Sequence, residues 1–520
     1  MSNGTTMEHN TAVQNGIKRM ALTVLSMLVE IVILFIFLLF LSDYAKWFLE
    51  LERIAGLFLV LFIYGKHETA AMKMPWIMLI LVFPIAGVML YLLIGLNGST
   101  HKMKKRYESV DAVLLPLLDR NDQVIEEEGQ KDKRLANISR YLRDHAGYPV
   151  YNDTVVTYYD DGAKGLEAQK EELKKAKEFI FMEYHAIEDA ESWHGIEEIL
   201  VDRVKNGVEV RVFYDDMGSI GFINTDFVDR MRGLGINCRV FNPFAPGLNI
   251  FLNNRDHRKI TVIDGQVGFT GGYNLANEYF HVTEPFGFWK DTGIKLVGSA
   301  VKSLTVTFLE MWNAISDKNT LDRDLKRYLP ESENKTPGAG FVQPYADSPM
   351  DDIAVGEDVY VSVAEAATEY AWFITPYLII TDEMSHALTM AAKRGVDVRI
   401  ITPGVPDKKI VYSLTRSYYN GLVRDGVRIF EFTPGFCHCK MSVADDLLAT
   451  CGTINMDYRS LYHHFENGCV YADCDAVMDT KRDFEATMAQ SREVTEQYRS
   501  GRGAFLRFGQ MLLRLVAPLM

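Results

Sequence analysis

Long apolar stretches mark the first hundred residues of this chain. Residues 21–41 carry one charged side chain, Glu30, and as a helix they would rise roughly 31 Å, about the thickness of a bilayer's hydrocarbon core. Residues 75–96 form a second apolar run, whose internal Pro84 a membrane helix tolerates. The pattern therefore predicts two transmembrane helices, over about 21–41 and 75–96, within a membrane region of residues 1–100.

Basic residues beside these runs indicate their orientation. Lys18 and Arg19 precede the first run, and four bases follow the second: Lys102, Lys104, Lys105 and Arg106. Two crossings put both groups in the cytoplasm, where basic loops are favoured, whereas three crossings would put the larger group outside. We therefore interpret the shorter apolar run at 54–64 as interfacial or re-entrant. The prediction is a multi-pass protein of the cell membrane whose remaining domains face the cytoplasm.

Beyond residue 106, short apolar runs alternate with amphipathic segments. In the first half the predicted helices cover 164–177, 193–207 and 225–235, and the predicted strands cover 178–185, 208–216 and 236–244. The second half repeats this order, with strands at 370–378, 396–404 and 427–432 and a helix at 382–395. Strands that alternate with helices of this length indicate α/β sheets with helices packed on their faces.

The same pattern divides the chain after the membrane region into five parts. They are a charged connector at 101–145, a first domain at 146–325, a linker at 326–345, a second domain at 346–500 and an apolar C-terminal segment at 501–520. We interpret the connector's charges as a solvated face without a specific partner. The C-terminal segment has two alternatives, a helix that lies on the bilayer or a helix docked on the preceding domain.

The overall charge limits the classes of function that the chain can serve. Its formal net charge is −14, which argues against a nucleic-acid partner, since such proteins normally present a basic field. An anionic lipid substrate remains compatible, because binding one needs only a local basic pocket. The six cysteines lack the paired spacing of a small secreted protein, which favours a reducing compartment.

One pattern of chemically active side chains occurs twice, 181 residues apart. Each copy has a histidine, a lysine two positions later and an aspartate five positions after the lysine: His257, Lys259 and Asp264, then His438, Lys440 and Asp445. The register continues, with Gly271-Gly272-Tyr273-Asn274 equivalent to Gly452-Thr453-Ile454-Asn455. The chain is therefore an internal duplication, and two histidines brought together can divide phosphoryl transfer between a nucleophile and an acid.

Strand geometry separates the members of each motif. On a strand the histidine and the lysine project from one face, whereas the aspartate has the opposite parity. Asp264 and Asp445 belong to the motif with the catalytic candidates, yet their parity favours a structural role. We expect each to end its strand at a turn and to hold a hydrogen bond or an ion pair there.

Other conspicuous residues support weaker interpretations. Strand parity turns Cys437 and Cys439 away from His438, which favours packing over metal binding. His185 and Tyr377 end corresponding predicted strands in the two halves. They either line the pocket or pack at the strand ends.

Further residues complete a resemblance to a known family. They are the triplet Trp289-Lys290-Asp291 and the run Asn455-x-Asp457-x-Arg459-Ser460. With the duplicated motif, they make the chain similar to the phospholipase D superfamily. The N-terminal apolar runs and the apolar C-terminus resemble, within that superfamily, the bacterial cardiolipin synthases. The resemblance extends over nearly the whole chain.

The resemblance implies two duplicated phospholipase D-like α/β domains, related by a pseudo-two-fold axis, with both motifs in one pocket. It implies that His257 attacks phosphorus while His438 serves as acid and base, and the reverse assignment stays open because the halves are alike. The residues expected to bind the nonbridging phosphate oxygens are Lys259, Lys440, Asn274 and Asn455. The carboxylates expected to orient the imidazoles are Asp291 and Glu466. No metal and no other cofactor is implied.

Two residues depart from the family pattern. Gly272 stands where serine or threonine is common, which removes one hydroxyl donor from the pocket. His464 stands where asparagine is frequent, which leaves the arrangement around Glu466 open.

The implied reaction is phosphatidyl transfer between two phosphatidylglycerol molecules, giving cardiolipin and glycerol through a phosphohistidine. Membrane attachment agrees with this reaction, because it holds both lipids at high effective concentration. The nearest alternative is a phospholipase D or another phosphatidyltransferase that uses water, serine or ethanolamine. A membrane-tethered nuclease is disfavoured by the acidic charge, and a noncatalytic lipid-binding scaffold is disfavoured by the two intact histidine–lysine pairs.

Overall fold

The structure is a computed structural model that describes most of the chain. The described residues are 13–36 except 23, 27, 31, 34 and 35, then 46–66, 69–92, 98–243, 253–316, 321–499, 509–510, 513–515 and 517–519. Part of the predicted helix at 21–41 lies outside the described residues, and the described positions between 13 and 36 are helical.

Three helices follow in the N-terminal region: α1 (Lys46–Tyr64), α2 (Ala70–Val82) and α3 (Pro84–Leu90). The helix predicted over 75–96 is not continuous, because it breaks at Phe83, and its last positions, 93–96, lie outside the described residues. Pro84 has no N–H to donate, and its ring would collide with the carbonyl of Ile80 in a continuous helix. The chain instead folds back so closely that a Cβ on Gly87 would lie 2.6 Å from the Ile80 Cα.

The described part of the chain contains no helix that is both long enough and apolar enough to cross a membrane. Ile63 of α1, Ile80 of α2 and Tyr91, directly after α3, form a small buried cluster of their own.

The charged connector folds into three helices that pack on the rest of the molecule. They are α4 (Gly98–Leu114), α5 (Asp122–Lys131) and α6 (Lys133–His145). Leu135, Ile138 and Leu142 of α6 are buried in the main core. The interpretation of the connector's charges as nonspecific was wrong for Arg134, whose Nη1 donates to Asp445 Oδ2 at 2.8 Å.

The first lobe is a seven-stranded sheet in the order β1-β8-β7-β6-β2-β3-β4. Its strands are β1 (Val155–Tyr159), β2 (Phe179–Tyr184), β3 (Glu209–Asp215), β4 (Asn237–Phe241), β6 (Lys259–Ile263), β7 (Val267–Gly271) and β8 (Gly293–Val297). Strands β2, β3 and β4 run parallel, as the alternation with helices predicts, while β6 runs antiparallel to β2. The helices are α7 (Gly162–Leu173), α8 (Glu191–Lys205), α9 (Asp216–Ser219), α10 (Phe227–Gly233) and α11 (Val301–Ala314).

The second lobe repeats this plan in a nine-stranded sheet, which includes the short strand β5 (Arg255–Asp256) from the first half of the chain. Its order is β16-β12-β11-β10-β13-β14-β15-β5, with β9 also paired to β15. Its strands are β9 (Phe341–Asp347), β10 (Tyr370–Ile374), β11 (Asp397–Pro403), β12 (Arg428–Phe432), β13 (Met441–Ala444), β14 (Leu448–Gly452), β15 (His464–Ala472) and β16 (Ser491–Glu493). Its helices are α12 (Val355–Ala366), α13 (Asp382–Lys393), α14 (Lys409–Arg424), α15 (Tyr458–Tyr462), α16 (Asp475–Ala489) and α17 (Thr495–Arg499). Strand β9 begins inside the segment predicted as a linker.

The two lobes exchange backbone at the seam between them. Strand β5 (Arg255–Asp256), which precedes the first motif, pairs in parallel with β15 of the second lobe. In return, Lys290 of the first lobe forms an isolated bridge with Cys437, which precedes the second motif. Helix α11 is buried over its whole length between the lobes, where it packs on β2, β6 and β9. One hydrophobic core therefore extends through both halves, and the motifs lie where they meet.

The described positions of the C-terminal segment lie on the second lobe. Ala517 and Leu513 pack with Ile379, Leu414 and Tyr458. Of the two alternatives for this segment, docking agrees with these contacts.

Candidate active site

His257 is oriented by residues from the other lobe. It lies between β5 and β6, where its backbone N–H donates to the carbonyl of Phe465 at 2.8 Å. Its Nδ1 is 2.9 Å from both carboxylate oxygens of the next residue, Glu466. Because a carboxylate accepts hydrogen bonds, Nδ1 carries the proton and Nε2 keeps its lone pair. Thr453 Oγ1 also donates to Glu466, which fixes the carboxylate from a second side.

His438 repeats this arrangement with the lobes reversed. Its backbone N–H donates to the carbonyl of Lys290 at 2.8 Å, and its Nδ1 is 2.7 Å from Oδ2 of the next residue, Asp291. The other carboxylate oxygen, Oδ1, accepts from the backbone N–H of Thr292 at 2.9 Å. Each imidazole is therefore held by the peptide and the side chain of two consecutive residues in the opposite lobe.

The two lysines lie beside the imidazoles, with different contacts. Lys259 Nζ donates to the carbonyl of His257 at 2.5 Å. Lys440 Nζ donates to the carbonyl of His438 and lies 2.8 Å and 2.9 Å from its Nδ1 and Nε2. The lone pair of His438 Nε2 is therefore next to an ammonium, whereas that of His257 has no such neighbour among the hydrogen bonds of the described residues.

Burial controls protonation in this pocket. Desolvation lowers the pKa of His257 well below its usual value, and Lys259, His185 and Lys440 lower it further. Desolvation and both lysines likewise lower the pKa of His438. The lysine of each lobe thus acts on the imidazole of the other, which indicates that the two motifs share one site. Both imidazoles are neutral near pH 7.

Burial also shifts the lysines and the carboxylate partner of His438. Desolvation lowers the pKa of Lys259 to about 7, with Lys440 lowering it further against the opposing influence of Glu466. The pKa of Lys440 is lowered for the same principal reason. Desolvation raises the pKa of Asp291 to about 7, against the opposing influence of Lys440.

The two asparagines differ in their contacts. Asn274 accepts from the backbone N–H of Ala186 at 3.2 Å and donates from Nδ2 to Tyr279 Oη at 2.8 Å. Asn455 is buried, and its Oδ1 has no hydrogen-bond partner among the described residues. Phosphate binding by either asparagine stays a prediction.

The motif aspartates hold backbone amides. Asp264 accepts from the N–H groups of Lys177, Glu178 and Phe179, each at 2.8 Å, where β2 begins. Asp445 accepts in the same way from Thr368, Glu369 and Tyr370 at the start of β10. Both residues have positive φ, 52° and 53°, in the turns that end β6 and β13. The turns predicted at these positions are confirmed.

The two departures from the family pattern have structural counterparts. A Cβ on Gly272 would lie 2.1 Å from Asp291 Oδ1, so the absence of a side chain there makes room for the carboxylate. In the second lobe the equivalent Thr453 instead donates to Glu466. His464 lies beside the same carboxylate, with its ring centroid 5.5 Å from that of His257.

The remaining sequence candidates occupy different surroundings. His185 packs edge-on against His257 at 4.9 Å between ring centroids, and its Nδ1 is 2.7 Å from the Asp256 carbonyl oxygen. The hydroxyl of Tyr377 bonds Asp407. Cys437 and Cys439 are fully buried free thiols.

Sequence reasoning missed several residues of the site. The ring of Tyr279 lies 5.3 Å from that of His438, and no spacing signal pointed to it. Asn467 accepts from the Lys259 backbone N–H at 3.4 Å and donates to Thr270 at 2.8 Å. Its position directly after Glu466 was the one available signal.

Among the described residues, one trio of side chains offers ligand atoms close enough for a metal ion. His257, His464 and Glu466 have such atoms within 4.8 Å of one another. The Glu466 oxygens already accept from His257 and Thr453, so the contacts account for this trio as a hydrogen-bond network.

Comparison with known families agrees with this geometry. Residues 170–312 and 360–488 match the family described as "Cardiolipin synthase, PLD-like domain". Residues 54–95 match the family described as "Phospholipase_D-nuclease N-terminal". The first match covers one segment in each lobe and includes both motifs.

Individual proteins resemble the chain over most of its length. An uncharacterized protein of Streptococcus mutans is 40% identical over 461 residues, covering 89% of this chain and 99% of that protein. A cardiolipin synthase of Halalkalibacterium halodurans is 32% identical, with 89% of this chain and 91% of the relative covered. Cardiolipin synthase 1 of Staphylococcus aureus is 31% identical, with coverage of 89% and 94%. A phosphatidylserine synthase of Haemophilus influenzae shares the fold, with a TM-score of 0.55 at 14% identity, over 74% of this chain and 98% of that one.

Proposed function

Because the chain belongs to the cardiolipin synthase family of phospholipase D-like proteins, we propose that it transfers a phosphatidyl group between two phosphatidylglycerol molecules. The products are cardiolipin and glycerol. The observation that carries this proposal is the reciprocal arrangement of the site, in which two neutral imidazoles are each oriented by a carboxylate of the opposite lobe. Such a pair can bracket a single phosphodiester.

In the first step the Nε2 lone pair of His257 attacks phosphorus, and the bond from phosphorus to the headgroup glycerol oxygen breaks. The bound phosphodiester anion favours protonation of His438 at Nε2, and this imidazolium gives its Nε2 proton to the glycerol oxygen, so free glycerol leaves and a phosphatidyl group stays on His257. We assign the nucleophile to His257 because Lys440 lies against Nε2 of His438, while Lys259 bonds a backbone carbonyl.

In the second step a terminal headgroup hydroxyl of another phosphatidylglycerol gives its proton to His438. The resulting oxygen nucleophile attacks phosphorus, the P–N bond breaks, and His257 recovers its lone pair. Two phosphatidylglycerol molecules thus become one cardiolipin and one glycerol, and His438 again carries the Nε2 proton with which it entered the first step.

The other motif residues divide into two groups. Lys259 and Lys440 would neutralise the phosphate and donate to its nonbridging oxygens, with Asn455 beside them. Glu466 and Asp291 would stabilise each imidazole when it gains positive charge. Asp264 and Asp445 would act structurally, since their carboxylates are occupied by backbone amides at the starts of β2 and β10.

We further propose that the enzyme works at the cytoplasmic face of the cell membrane, attached through its N-terminal region. Apolar side chains on α1 are unusually exposed there, with Leu57, Phe58 and Leu61 at 57%, 68% and 58% of their full accessibility. Exposed apolar surface of this kind marks a lipid or protein contact. Such a position would deliver both lipid substrates to one pocket.

The direct test uses purified full-length protein in phosphatidylglycerol micelles with a chelator present. We expect equimolar cardiolipin and glycerol, and His257→Ala or His438→Ala should each reduce turnover at least about 1,000-fold. His386→Ala, at an exposed histidine on α13, is the matched control and should retain full activity. Phosphatidic acid as the main product would identify a hydrolase, and phosphatidylserine formed from added serine would identify a different acceptor.

The covalent step has its own test. Phosphatidylglycerol made chiral at phosphorus should give cardiolipin with retained configuration, because two successive in-line displacements each invert the centre. Inversion would indicate direct attack of one lipid on the other and would contradict a phosphohistidine.

A further inference from the structure

His464 lies where Glu466 could receive a third hydrogen bond. It is the first residue of β15, and its side chain is only 10% exposed. Its Nε2 is 3.2 Å from Nε of Arg459. Its Nδ1 is 3.6 Å from Oε1 of Glu466, and no hydrogen-bond partner for this nitrogen lies within the described residues.

The contact with Arg459 determines which ring nitrogen of His464 carries the proton. Arginine has N–H donors and no acceptor, so His464 Nε2 must offer its lone pair to Arg459. A neutral imidazole then holds its single proton on Nδ1. Desolvation keeps His464 neutral by lowering its pKa well below the usual value. Its N–H therefore points toward the Glu466 carboxylate.

Arg459 is itself held in place, which makes the tautomer of His464 a fixed feature. Its two terminal nitrogens donate to the side chain and the carbonyl of Asn253, at 3.3 Å and 3.4 Å. Arg459 is thus tied to the segment that leads into the first motif. Arg459 is half-buried, and its charge favours these hydrogen bonds.

We propose that His464, in the Nδ1–H form set by Arg459, is a positioning residue that donates to Glu466 and thereby orients His257 for attack. This inference rests on the proposed function. The 3.6 Å separation exceeds a hydrogen bond in the free protein, and we expect it to close as the phosphodiester binds and His257 attacks phosphorus. Catalytic hydrogen bonds are commonly long before substrate binds and tighten in the reacting complex.

The charge balance of the step explains why a third donor matters. When His257 Nε2 bonds to phosphorus, the imidazole becomes positive. Its Nδ1 keeps its proton and its hydrogen bond to Glu466. The carboxylate must then remain ionised and aligned with that N–H. Donation from Thr453 and His464 disfavours proton transfer from Nδ1 to Glu466, because each added hydrogen bond stabilises the ionised carboxylate.

Two substitutions test the roles of the two His464 ring nitrogens separately. In His464→Asn the amide NH2 takes the place of Nδ1–H and can still reach Glu466, while the contact with Arg459 is lost. In His464→Gln the amide oxygen reaches the position of Nε2 and can still accept from Arg459, while the donor toward Glu466 is lost. The pair therefore tests the donor separately from the general packing of the ring.

We expect His464→Gln to lower kcat about 10- to 100-fold with little change in KM, the usual cost of removing a group that orients a catalytic residue. His464→Asn should stay within about threefold of the parent. Full activity of His464→Gln, or equal loss in both variants, would overturn the proposal. Melting temperatures identify losses that come from unfolding.

A measurement without turnover keeps this result distinct from failure of the proposed function. In protein labelled with 15N-histidine, the His464 signals, assigned by their loss in His464→Asn, should show a protonated Nδ1 and an unprotonated Nε2. The opposite tautomer would overturn the proposal whether or not the protein makes cardiolipin. If the tautomer is found but the parent is inactive on phosphatidylglycerol, the proposed function fails instead.

Metal binding is the alternative role for His464, because its ligand atom lies close to those of His257 and Glu466. A dialysis experiment distinguishes the two roles. Activity that is lost on dialysis against a chelator and restored by Zn²⁺ alone would make His464 a ligand and would overturn the proposal. Undiminished activity after dialysis supports its role as a hydrogen-bond donor.

Discussion

At the scale of single residues, position 272 must be glycine for steric reasons, whereas the equivalent position in the other lobe has Thr453. Asp291 fills the space in which a side chain would stand, with its Oδ1 2.1 Å from the ideal Cβ position of Gly272. The hydroxyl of Thr453, in contrast, reaches Glu466. The shorter acid needs a bare backbone beside it, and the longer acid has a hydroxyl donor.

We therefore expect Gly272→Ala to displace Asp291 and to lower kcat about 10- to 100-fold, because His438 loses its orienting partner. Steady-state kinetics in phosphatidylglycerol micelles would measure this. Gly421→Ala is the matched control, since a Cβ there meets no atom within 4 Å and alanine suits the interior of α14. An unimpaired Gly272→Ala enzyme would contradict the steric account.

The lysine of the first motif predicts the alkaline side of the pH profile. Lys259 must be protonated to attract phosphate, and burial lowers its pKa to about 7 in the free protein. Because kcat/KM reports the free enzyme, it should fall as the pH rises above about 7. On the acidic side activity should persist below pH 6.5, since the lowered pKa of His257 keeps its lone pair available.

Lys259→Arg checks this assignment, because a guanidinium keeps its charge throughout the accessible pH range. The variant is expected to lose the decline above pH 7, even if its maximal rate is lower. A decline at the same pH in both proteins would assign it to another group.

Which residues carry the chemistry could be predicted from spacing, since the histidine–lysine pairs are local patterns. Their partners could not be assigned in the same way. Glu466 orients His257 at a sequence separation of 209, and Asp291 orients His438 at a separation of 147. Both were candidates by resemblance, but their pairing depends on how the two sheets meet, which no local pattern encodes.

At the scale of elements, the motif aspartates fasten strand ends. Asp264 receives three backbone N–H groups at the start of β2, and Asp445 does the same for β10 while also binding Arg134 of the connector. The opposite parity of histidine and aspartate allowed this role to be anticipated. The connector's part in it was not anticipated, because a charged stretch resembles a solvated surface until its partners are known.

Asp264→Asn should destabilise the fold by about 1–2 kcal/mol, since an amide oxygen replaces two charged acceptor atoms. Thermal unfolding of the full chain would measure the loss, with exposed Asp119→Asn as the control. Asparagine tolerates the positive φ at this position, so backbone strain stays comparable. A variant with an unchanged melting temperature but no turnover would assign Asp264 a chemical role instead.

The boundaries of two elements were predicted wrongly, because contacts between distant parts of the chain determine them. The break before Pro84 was expected to be absorbed within one helix, but the fold-back against Ile80 depends on contacts that hydropathy does not report. Strand β9 was included partly in a linker because it is defined by pairing with β15, more than a hundred residues away.

At the scale of the whole molecule, a buried ion pair joins the lobes. Lys290 of the first lobe donates to both carboxylate oxygens of Asp483 on α16, at 2.8 Å and 3.0 Å, and to the carbonyl of Asp160. Both side chains are 7% exposed. Lys290 also supplies the carbonyl that holds the His438 peptide, so the contact between the lobes and the active site share a residue.

Lys290→Met should destabilise the protein by about 3–5 kcal/mol, because it leaves a buried carboxylate without its cation. Adding Asp483→Leu should recover much of this loss, since replacing both members of a buried pair by apolar groups is far milder. Thermal unfolding of the two variants would measure the difference. A single variant as stable as the parent would mean that the pair contributes nothing to joining the lobes.

The duplication and the α/β plan of each lobe could be predicted from repeats and alternation. The exchange of β5 and of the Lys290 bridge between lobes could not, because neither segment has a pattern of its own.

The crossed carboxylates also bear on ancestry. Within one half, the acid does not orient the histidine of the same half but that of the other half. An unfused ancestor would therefore have completed its active site only by pairing with an identical copy. Once fused, the two halves no longer had to share one sequence. One half could then have Gly272 beside Asp291, and the other Thr453 beside Glu466. Each half now depends on the other for the carboxylate that orients its histidine.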